Sequence, residues 1–291
     1  MQNPLVSVII PVYNRQDFIA DAVDSVLAQK YAPFELIVVD DGSTDDTARI
    51  LSAYKERICV LHQENAGVSA ARNRGVRAAA AEWIAFLDSD DYWLSGKLSR
   101  QMSWFAENPQ MRICQTEEYW IRKKKRVNPG RRHQKQQGHI FEPSLWLCLI
   151  SPSAVMLHRS LFEKHGGFNE ALPACEDYDL WLKITCTEPV GLISTPLIVK
   201  QGGHADQLSA RPGLDRYRIA AICHVMASGR LSPGQYRAAA AALAEKCRIY
   251  AQGCEKRGKR KQAAWYRNLI QNPAAGAYFL GHSPDLLIHL L

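Results

Sequence analysis

From residue 5 to about residue 107, short and almost wholly apolar runs alternate with stretches of helical periodicity, and each apolar run ends in polar or acidic residues. "VSVIIPVYN" is rich in β-branched residues and stops at Pro11, Tyr13 and Asn14. In "DFIADAVDSVLAQ" the residues Phe18, Ile19, Ala22, Val23, Val26 and Leu27 recur at three and four positions, the stripe of one buried helix face. "FELIVVDDGS" repeats the strand pattern and ends in Asp40, Asp41 and Gly42, and the spacing of Ser43 and Asp46 predicts a capping box for the next helix. "ICVLH", a turn at Gly67, the helical "VSAARNRGVRAAAA" and the strand "WIAFLD" continue the series. Strands that are apolar throughout need cover on both faces, which strand–helix alternation supplies in a parallel, doubly wound sheet with right-handed crossovers. Ligands of such sheets bind beyond the carboxyl ends of the strands, and Tyr13, Asp41 and Asp88 to Asp91 all fall there.

"IAFLDSDDYW" crowds Asp88, Asp90 and Asp91 into four positions. Carboxylates that close repel and raise one another's pKa unless a cation or hydrogen-bond donors compensate. A solvated acidic turn is the plain alternative, since Asp favours turns. Three successive strands that deliver polar groups to one edge weigh the balance toward a binding site.

"VSVIIPVYNR", "ELIVVDDGSTDDT", "NAGVSAARNRG", "AFLDSDDYW" and "EDYDLWLKI", in this order, resemble the family 2 glycosyltransferases over about residues 5 to 210. The resemblance implies an inverting enzyme of the GT-A fold: an α/β domain with a Rossmann-like, mostly parallel sheet flanked by helices, over residues 1–212; beyond it the resemblance fades, and 213–291 is read as a C-terminal helical extension. It implies transfer from a nucleoside-diphosphate sugar, with UDP expected from family habit, and a divalent cofactor, Mg²⁺ or Mn²⁺. Carried onto this sequence, Pro11 and Tyr13 would line the base pocket, and Asp41 would accept a hydrogen bond from the base. Arg72 would lie near the diphosphate, and Asp88 and Ser89 against the ribose and diphosphate. Asp90 would ligate the metal as part of a DXD motif, with His204 in "KQGGHADQLS" as a loosely matched second ligand. Asp177 would be the catalytic base. Plain readings stand beside these: Tyr13 as a packed strand-end aromatic, Arg72 as a helix-surface charge and His204 as an ordinary loop histidine.

Glu176, Asp177 and Asp179 stand at the start of a helix, where the dipole favours carboxylates without any catalytic purpose. Leu180, Trp181 and Ile184 supply an apolar face to anchor that turn, and the glycines of "GGFNE" leave room for close approach of acceptor and backbone.

Beyond about residue 212, the Ala-, Lys- and Arg-rich segment reads as two helices joined near Gly258 and stopped by Pro273, with a terminal "DLLIHLL" too short to span a bilayer. One such helical hairpin cannot bury its own core, so it should pack on the rest of the chain or on a partner. Eight cysteines without a C-x-x-C pair read as buried, reduced thiols. No run approaches the length of a membrane span, and no cleavable leader opens the chain, so a cytoplasmic protein is expected, with peripheral contact at the inner face of an anionic membrane as an option. The net charge of +7 is concentrated in "IRKKKRVNPGRRHQKQQGH", read as a mobile solvated loop. That run holds no aromatic residue on which bases could stack, so nucleic acid is not expected as a partner. "GCEKRGKR" has phosphate-loop spacing but lacks both the hydroxyl residue and the preceding strand. The expected function is transfer of a sugar to a carbohydrate or lipid-linked acceptor in bacterial surface polysaccharide synthesis. A sugar nucleotidyltransferase and a non-catalytic nucleotide-sugar or nucleic-acid binder are the alternatives.

Overall fold

Strand β1 (Val6–Val12) is buried along its whole length, as a run without polar alternation requires. Helix α1 (Ile19–Leu27) lays Ile19, Ala22, Val23 and Val26 into the core. Burial of Ile19, Val23 and Val26 contributes about 1.5–3 kcal/mol each, and the methyl of Ala22 less. Strand β2 (Phe34–Asp40), helix α2 (Thr47–Ser52), strand β3 (Cys59–His62), helix α3 (Val68–Ala78) and strand β4 (Trp83–Phe86) complete the alternation. A computed structural model of the protein describes residues 5–128, 130–203 and 212–273; His204 and the terminal "DLLIHLL" lie outside the described residues.

β3, β2, β1 and β4 are neighbours in that order and all parallel. Gly75 of α3 is a packing requirement: a Cβ there would lie 2.5 Å from the Ile9 side chain, so only glycine lets the helix press onto β1. After β4 come the short β5 (Tyr92–Trp93), helix α4 (Lys97–Glu107), the long β6 (Ile113–Arg122) and β7 (Lys125–Val127). A one-turn helix α5 (Phe141–Ser144), β8 (Val155–His158), α6 (Arg159–Lys164), α7 (Glu176–Thr185) and β9 (Gly191–Gly202) follow. Beyond β4 the sheet becomes mixed. β8 enters antiparallel between β4 and β6, β9 runs parallel to β6, and β5 closes the far side against β9. Two reversals restore the direction, so β6 and β9 run the same way as β1, β2 and β4.

The chain forms two compact units. The first holds the sheet and comprises residues 1–138, 149–168 and 189–205. The second comprises residues 139–148, 169–188 and 206–291, and its described helices are α5, α7, α8 (Asp215–Ala227), α9 (Pro233–Lys256) and α10 (Arg260–Gln271). The helical pair expected around Gly258 is α9 and α10. Its apolar face is covered by α8 and by earlier segments, so that Tyr178, Leu182, Ile222, Leu243 and Tyr266 share one core.

Three local expectations change. Ser43 and Asp46 form no capping box on α2: Asp46 is the N-cap residue but its carboxylate pairs with Arg49 and makes no capping bond, and Ser43 is drawn elsewhere, its N–H donating to Asp40 Oδ1 and its Oγ accepting from the Asn14 N–H. The basic run opens as a β-hairpin, β6–β7, rather than as a loop. Cys59 is exposed, and Cys148 and Cys175 are half-buried, while the other five cysteines are buried as expected.

Candidate active site

The carboxyl ends of β1, β2 and β4 carry Pro11, Tyr13, Asp41 and the Asp88 to Asp91 turn, all within the first unit. Pro11 is buried in register with Val39, whereas Tyr13, one residue past β1, is 44% exposed. It is therefore not packing the core. The segment behind it is sewn to the turn after β2: Asn14 Oδ1 accepts from the Thr44 N–H at 2.7 Å, Asp45 Oδ2 from the Gln16 N–H at 3.1 Å, and Thr47 Oγ1 from the Arg15 N–H at 2.9 Å. Asn14 takes a left-handed φ of 50°, which Asn tolerates better than most residues.

Asp41 is buried, and its carboxylate accepts three hydrogen bonds, from Gln63 Nε2 at 2.6 Å and from the N–H groups of Ala66 and Gly67 at 2.9 Å each. It therefore holds the turn that leads into α3, and of the roughly four acceptor positions of a carboxylate one is left over.

Residues 88 to 91 form a turn closed by a bond from the Asp91 N–H to the Asp88 carbonyl at 3.0 Å. Both feet of the turn are anchored. Asp88 meets Arg72 Nη2 at 2.6 Å, and Arg72, on α3, is buried with its guanidinium 5.0 Å from the centre of the Phe168 ring. It is thus no helix-surface charge. Asp91 is buried, accepting from Ser153 Oγ at 2.6 Å and from the Gln201 N–H of β9 at 3.0 Å. Burial pushes its carboxyl well above the usual range, opposed by Lys200 and reinforced by Asp90 and Asp88. Ser153 also accepts from the Asp88 N–H at 3.1 Å, so one hydroxyl ties both feet together. Ser89 is buried and Asp90 half-buried at the apex. Behind the turn, Lys97 is fully buried with its ammonium 4.0 Å from the centre of the Trp93 ring and 2.6 Å from Gln101 Oε1, and burial lowers its pKa to about 7.

No group of three or more His, Cys, Asp or Glu side chains forms a metal cage among the described residues. A Mg²⁺-type ion uses one or two carboxylates and completes its shell with water and substrate phosphates. A turn that offers the half-buried carboxylate of Asp90 beside Asp88 fits that donor set.

Asp177 belongs to the second unit. Cys175, the N-cap residue of α7, sits in the left-handed region at φ 60°, an unusual conformation for a non-glycine residue and one found at functional sites. The three acids that follow are not equivalent. Asp179 is fully buried, 2.5 Å from Lys183 Nζ and 2.9 Å from His224 Nδ1, a structural ion pair. Glu176 is buried. Asp177 is half-buried, with the Tyr178 N–H at 2.7 Å from Oδ1 and the weakly donating Cys148 thiol at 3.6 Å from Oδ2. The same loop is held by a 2.6 Å bond from the Tyr178 hydroxyl to the Leu145 carbonyl, and between these two contacts Trp146 stands 53% exposed.

Sequence reasoning missed the residues that brace this site. Asn73 exchanges hydrogen bonds with the backbone of Phe168, at 2.8 and 3.0 Å, and so fixes the ring over Arg72. Gly167 is needed for this packing: its φ is 69°, and a Cβ would lie 2.9 Å from Asn73 Oδ1 and from the Phe162 ring, which assigns it to packing and not to acceptor approach. "NAGVSAARNRG" contains Asn73, but nothing in its spacing marks it, and Ser153 lies in no motif at all.

The model of the family described as "Glycosyl transferase family 2" matches residues 7–166. An uncharacterized glycosyltransferase of Rickettsia prowazekii, RP339, is 33% identical over 210 residues, which cover 70% of this chain and 66% of that protein. The Escherichia coli protein WfaP, described as a UDP-Glc:alpha-D-GlcNAc-diphosphoundecaprenol beta-1,3-glucosyltransferase, is 38% identical over 62% of this chain and 70% of its own length. The match spans only 58%, 32% and 36% of the length of three other rickettsial glycosyltransferases. Among solved structures, residues 1-349 of Staphylococcus aureus TarS in complex with UDP-GlcNAc superimpose with a TM-score of 0.69 over 98% of this chain and 91% of that one, at 18% identity, a likeness of fold. The family match spans more than half of the chain and includes Pro11, Tyr13, Asp41, Arg72, Asp88, Ser89 and Asp90, and on that ground the protein belongs to the family 2 glycosyltransferases.

Proposed function

We propose that the protein is an inverting glycosyltransferase that moves a sugar from a nucleoside diphosphate, UDP by preference, to a carbohydrate or lipid-linked acceptor in bacterial surface polysaccharide synthesis. The observation that carries the reading is the anchored turn 88–91. Arg72 and Ser153 fix its feet, and Asp90 stands at its apex at the strand ends where α/β sheets bind ligands. Tyr13 offers an exposed ring to the base, Pro11 the buried floor of the strand end and Asp41 a remaining acceptor for a base N–H. Arg72, Asp88 and Ser89 attend the ribose and diphosphate. Asp90 is the residue that would hold Mg²⁺ or Mn²⁺, and such an ion, when bound, offsets the negative charge that builds up on a departing diphosphate. His204 is retained as a further metal ligand on the resemblance alone.

Asp177 takes the proton of the acceptor hydroxyl. The oxygen then bonds to the anomeric carbon from the face opposite the diphosphate, the bond from that carbon to the phosphate oxygen breaks, and the nucleoside diphosphate leaves with the electron pair. A carboxylate that is partly exposed, and not tied up in an ion pair as Asp179 is, suits that task. Trp146, exposed on the loop that touches Asp177, gives the acceptor sugar an apolar face to pack on. WfaP, by its description, uses a UDP-sugar and a lipid-diphosphate acceptor, which supports the choice of both substrates. The test is incubation with a panel of nucleotide sugars, divalent metal and lipid-diphosphate-linked saccharides. Release of nucleoside diphosphate with a glycosylated acceptor supports the reading; pyrophosphate release from a nucleoside triphosphate and a sugar phosphate, or tight binding without turnover, overturns it.

A further inference from the structure

The basic run was expected to be a solvated loop, and its fold raises the question of what a rigid cationic element does at this edge of the sheet. β6 and β7 pair Trp120 with Val127, Ile121 with Arg126 and Arg122 with Lys125, leaving Lys123 and Lys124 as a two-residue turn. Both turn residues have positive φ, 48° and 61°. Tight hairpins favour that geometry but normally fill it with Asn-Gly, because a Cβ is crowded there. Two lysines at these positions are a poor choice for stability, and backbone outliers of this kind point to use.

Arg122, Lys123, Lys124, Lys125 and Arg126 are all exposed. No Asp or Glu occurs between Glu118 and Glu142 in the sequence to neutralise them. Glu118 itself is engaged inward, 3.1 Å from Lys135 Nζ and 2.8 Å from the Trp120 indole nitrogen. The hairpin rises from the strand ends that carry the candidate donor site. β6 lies beside β9 with Ile121 opposite Gln201, and it is the Gln201 N–H that holds Asp91.

The chemistry separates the possible partners. Consecutive strand residues point to opposite faces, so these cations do not converge as a pocket for one phosphate would require. Base stacking is disfavoured as well. The nearest rings are already covered, Tyr119 by the Arg126 guanidinium at 4.1 Å and Trp120 by that of Arg122 at 5.6 Å. A diffuse array of negative headgroups suits cations splayed on both faces of a tip, since a hairpin entering the headgroup layer end-on brings both faces into contact with lipid phosphates.

We propose that the β6–β7 hairpin docks the protein on an anionic phospholipid surface and so presents the sheet edge to acceptors held in that membrane. The purpose rests on the glycosyl-transfer reading, but the docking is measurable without catalysis. Phosphatidylcholine vesicles with and without phosphatidylglycerol are floated with the protein at low and high salt. The expected result is partition onto the phosphatidylglycerol vesicles only, weakened by salt as exposed charges are screened. Lys123→Asn/Lys124→Gly removes two charges and installs the turn sequence the geometry prefers, so the fold is retained. It should lower partition roughly 25-fold, at about fivefold per cation. Lys30→Gln/Arg100→Gln, which removes two exposed cations elsewhere in the same unit, should change it little. Equal binding to neutral vesicles, or equal loss in both double variants, overturns the proposal. So does retention of a soluble polyphosphate or oligonucleotide without vesicle binding, which would assign the hairpin to a dissolved polyanion.

Discussion

Asp177 and Asp179 stand two positions apart on the first turn of one helix, and their surroundings predict opposite outcomes for the same substitution. Asp179→Asn leaves Lys183 and His224 facing a neutral amide at a fully buried position. Removing one partner of a buried ion pair costs about 3–5 kcal/mol. At about 2–4 °C per kcal/mol, the variant should melt roughly 10 °C lower. Asp177→Asn keeps an oxygen for the Tyr178 N–H and gives up only a long contact from a thiol, so its stability should stay within about 1 kcal/mol of the parent. Its loss is basicity. Transfer should fall by about 10² to 10⁴, equivalent to roughly 3–5 kcal/mol of transition-state stabilisation, while the affinity for the donor is unchanged. The two variants would be compared by thermal unfolding, by donor binding in a calorimeter and by initial transfer rates. Transfer within tenfold of the parent in Asp177→Asn refutes the assignment, as does a matching loss of donor affinity. If Asp179→Asn is folded and inactive while Asp177→Asn is active, the base is the buried acid and the argument from exposure fails.

Four further outcomes follow from single residues. Tyr13→Ala should leave the melting temperature unchanged, because the ring is 44% exposed, but raise the Kd for UDP about tenfold through loss of a stacking surface worth about 1–2 kcal/mol. Asp90→Asn should weaken UDP binding in Mg²⁺ or Mn²⁺ and hardly change it in EDTA, and EDTA should abolish transfer reversibly; equal UDP affinity with and without metal removes the assignment. Trp146→Ala should raise the KM for a saccharide acceptor with donor affinity unaltered, and Trp146→Phe should recover part of the loss. Lys97 has a folded pKa lowered by burial to about 7 from 10.5, so between these values the unfolded chain binds the extra proton and stability rises with pH by about 1.4 kcal/mol per unit. Lys97→Met should flatten that slope in urea titrations from pH 7 upward; an unchanged slope would mean that the cation is solvated after all.

What the sequence disclosed about the fold was what short-range pattern controls. The stripe from Ile19 to Val26 and the unbroken apolar runs of β1 and β2 are direct consequences of burial, and they placed Tyr13, Asp41 and Asp88 at one edge. What it hid depends on distant partners. β8 is four residues whose direction is set by β4 and β6 on either side, not by its own composition. Lys135 was counted among the solvated cations, yet it is buried because Glu118 and Gln115 meet it from β6. The Lys123–Lys124 turn carries no turn signature, since the residues that define one, Gly and Asn, are absent. The helices after residue 212 were legible as helices. That they share a core with α5 and α7 was not, because that core depends on residues 139–148 and 169–188, far away in sequence.

The crowding of Asp88, Asp90 and Asp91 resolves into separate environments. Like charges are tolerated when each has its own compensation. Asp88 meets the buried guanidinium of Arg72. Asp91 lies inside the protein, where burial itself raises its pKa and where the Ser153 hydroxyl and the Gln201 N–H serve its two oxygens. Because Ser153 precedes β8 and Gln201 ends β9, this one side chain joins the end of β4 to two elements that arrive much later in the chain. Asp88 and Asp91 thus hold the turn from both sides, and the i to i+3 bond between them leaves Ser89 and Asp90 at its apex, where, on the proposed reading, Asp90 would hold the metal. A divalent ion held by Asp90 would then meet a carboxylate whose backbone is already fixed by both neighbours. The entropy of ordering that loop is spent in folding, before any donor binds.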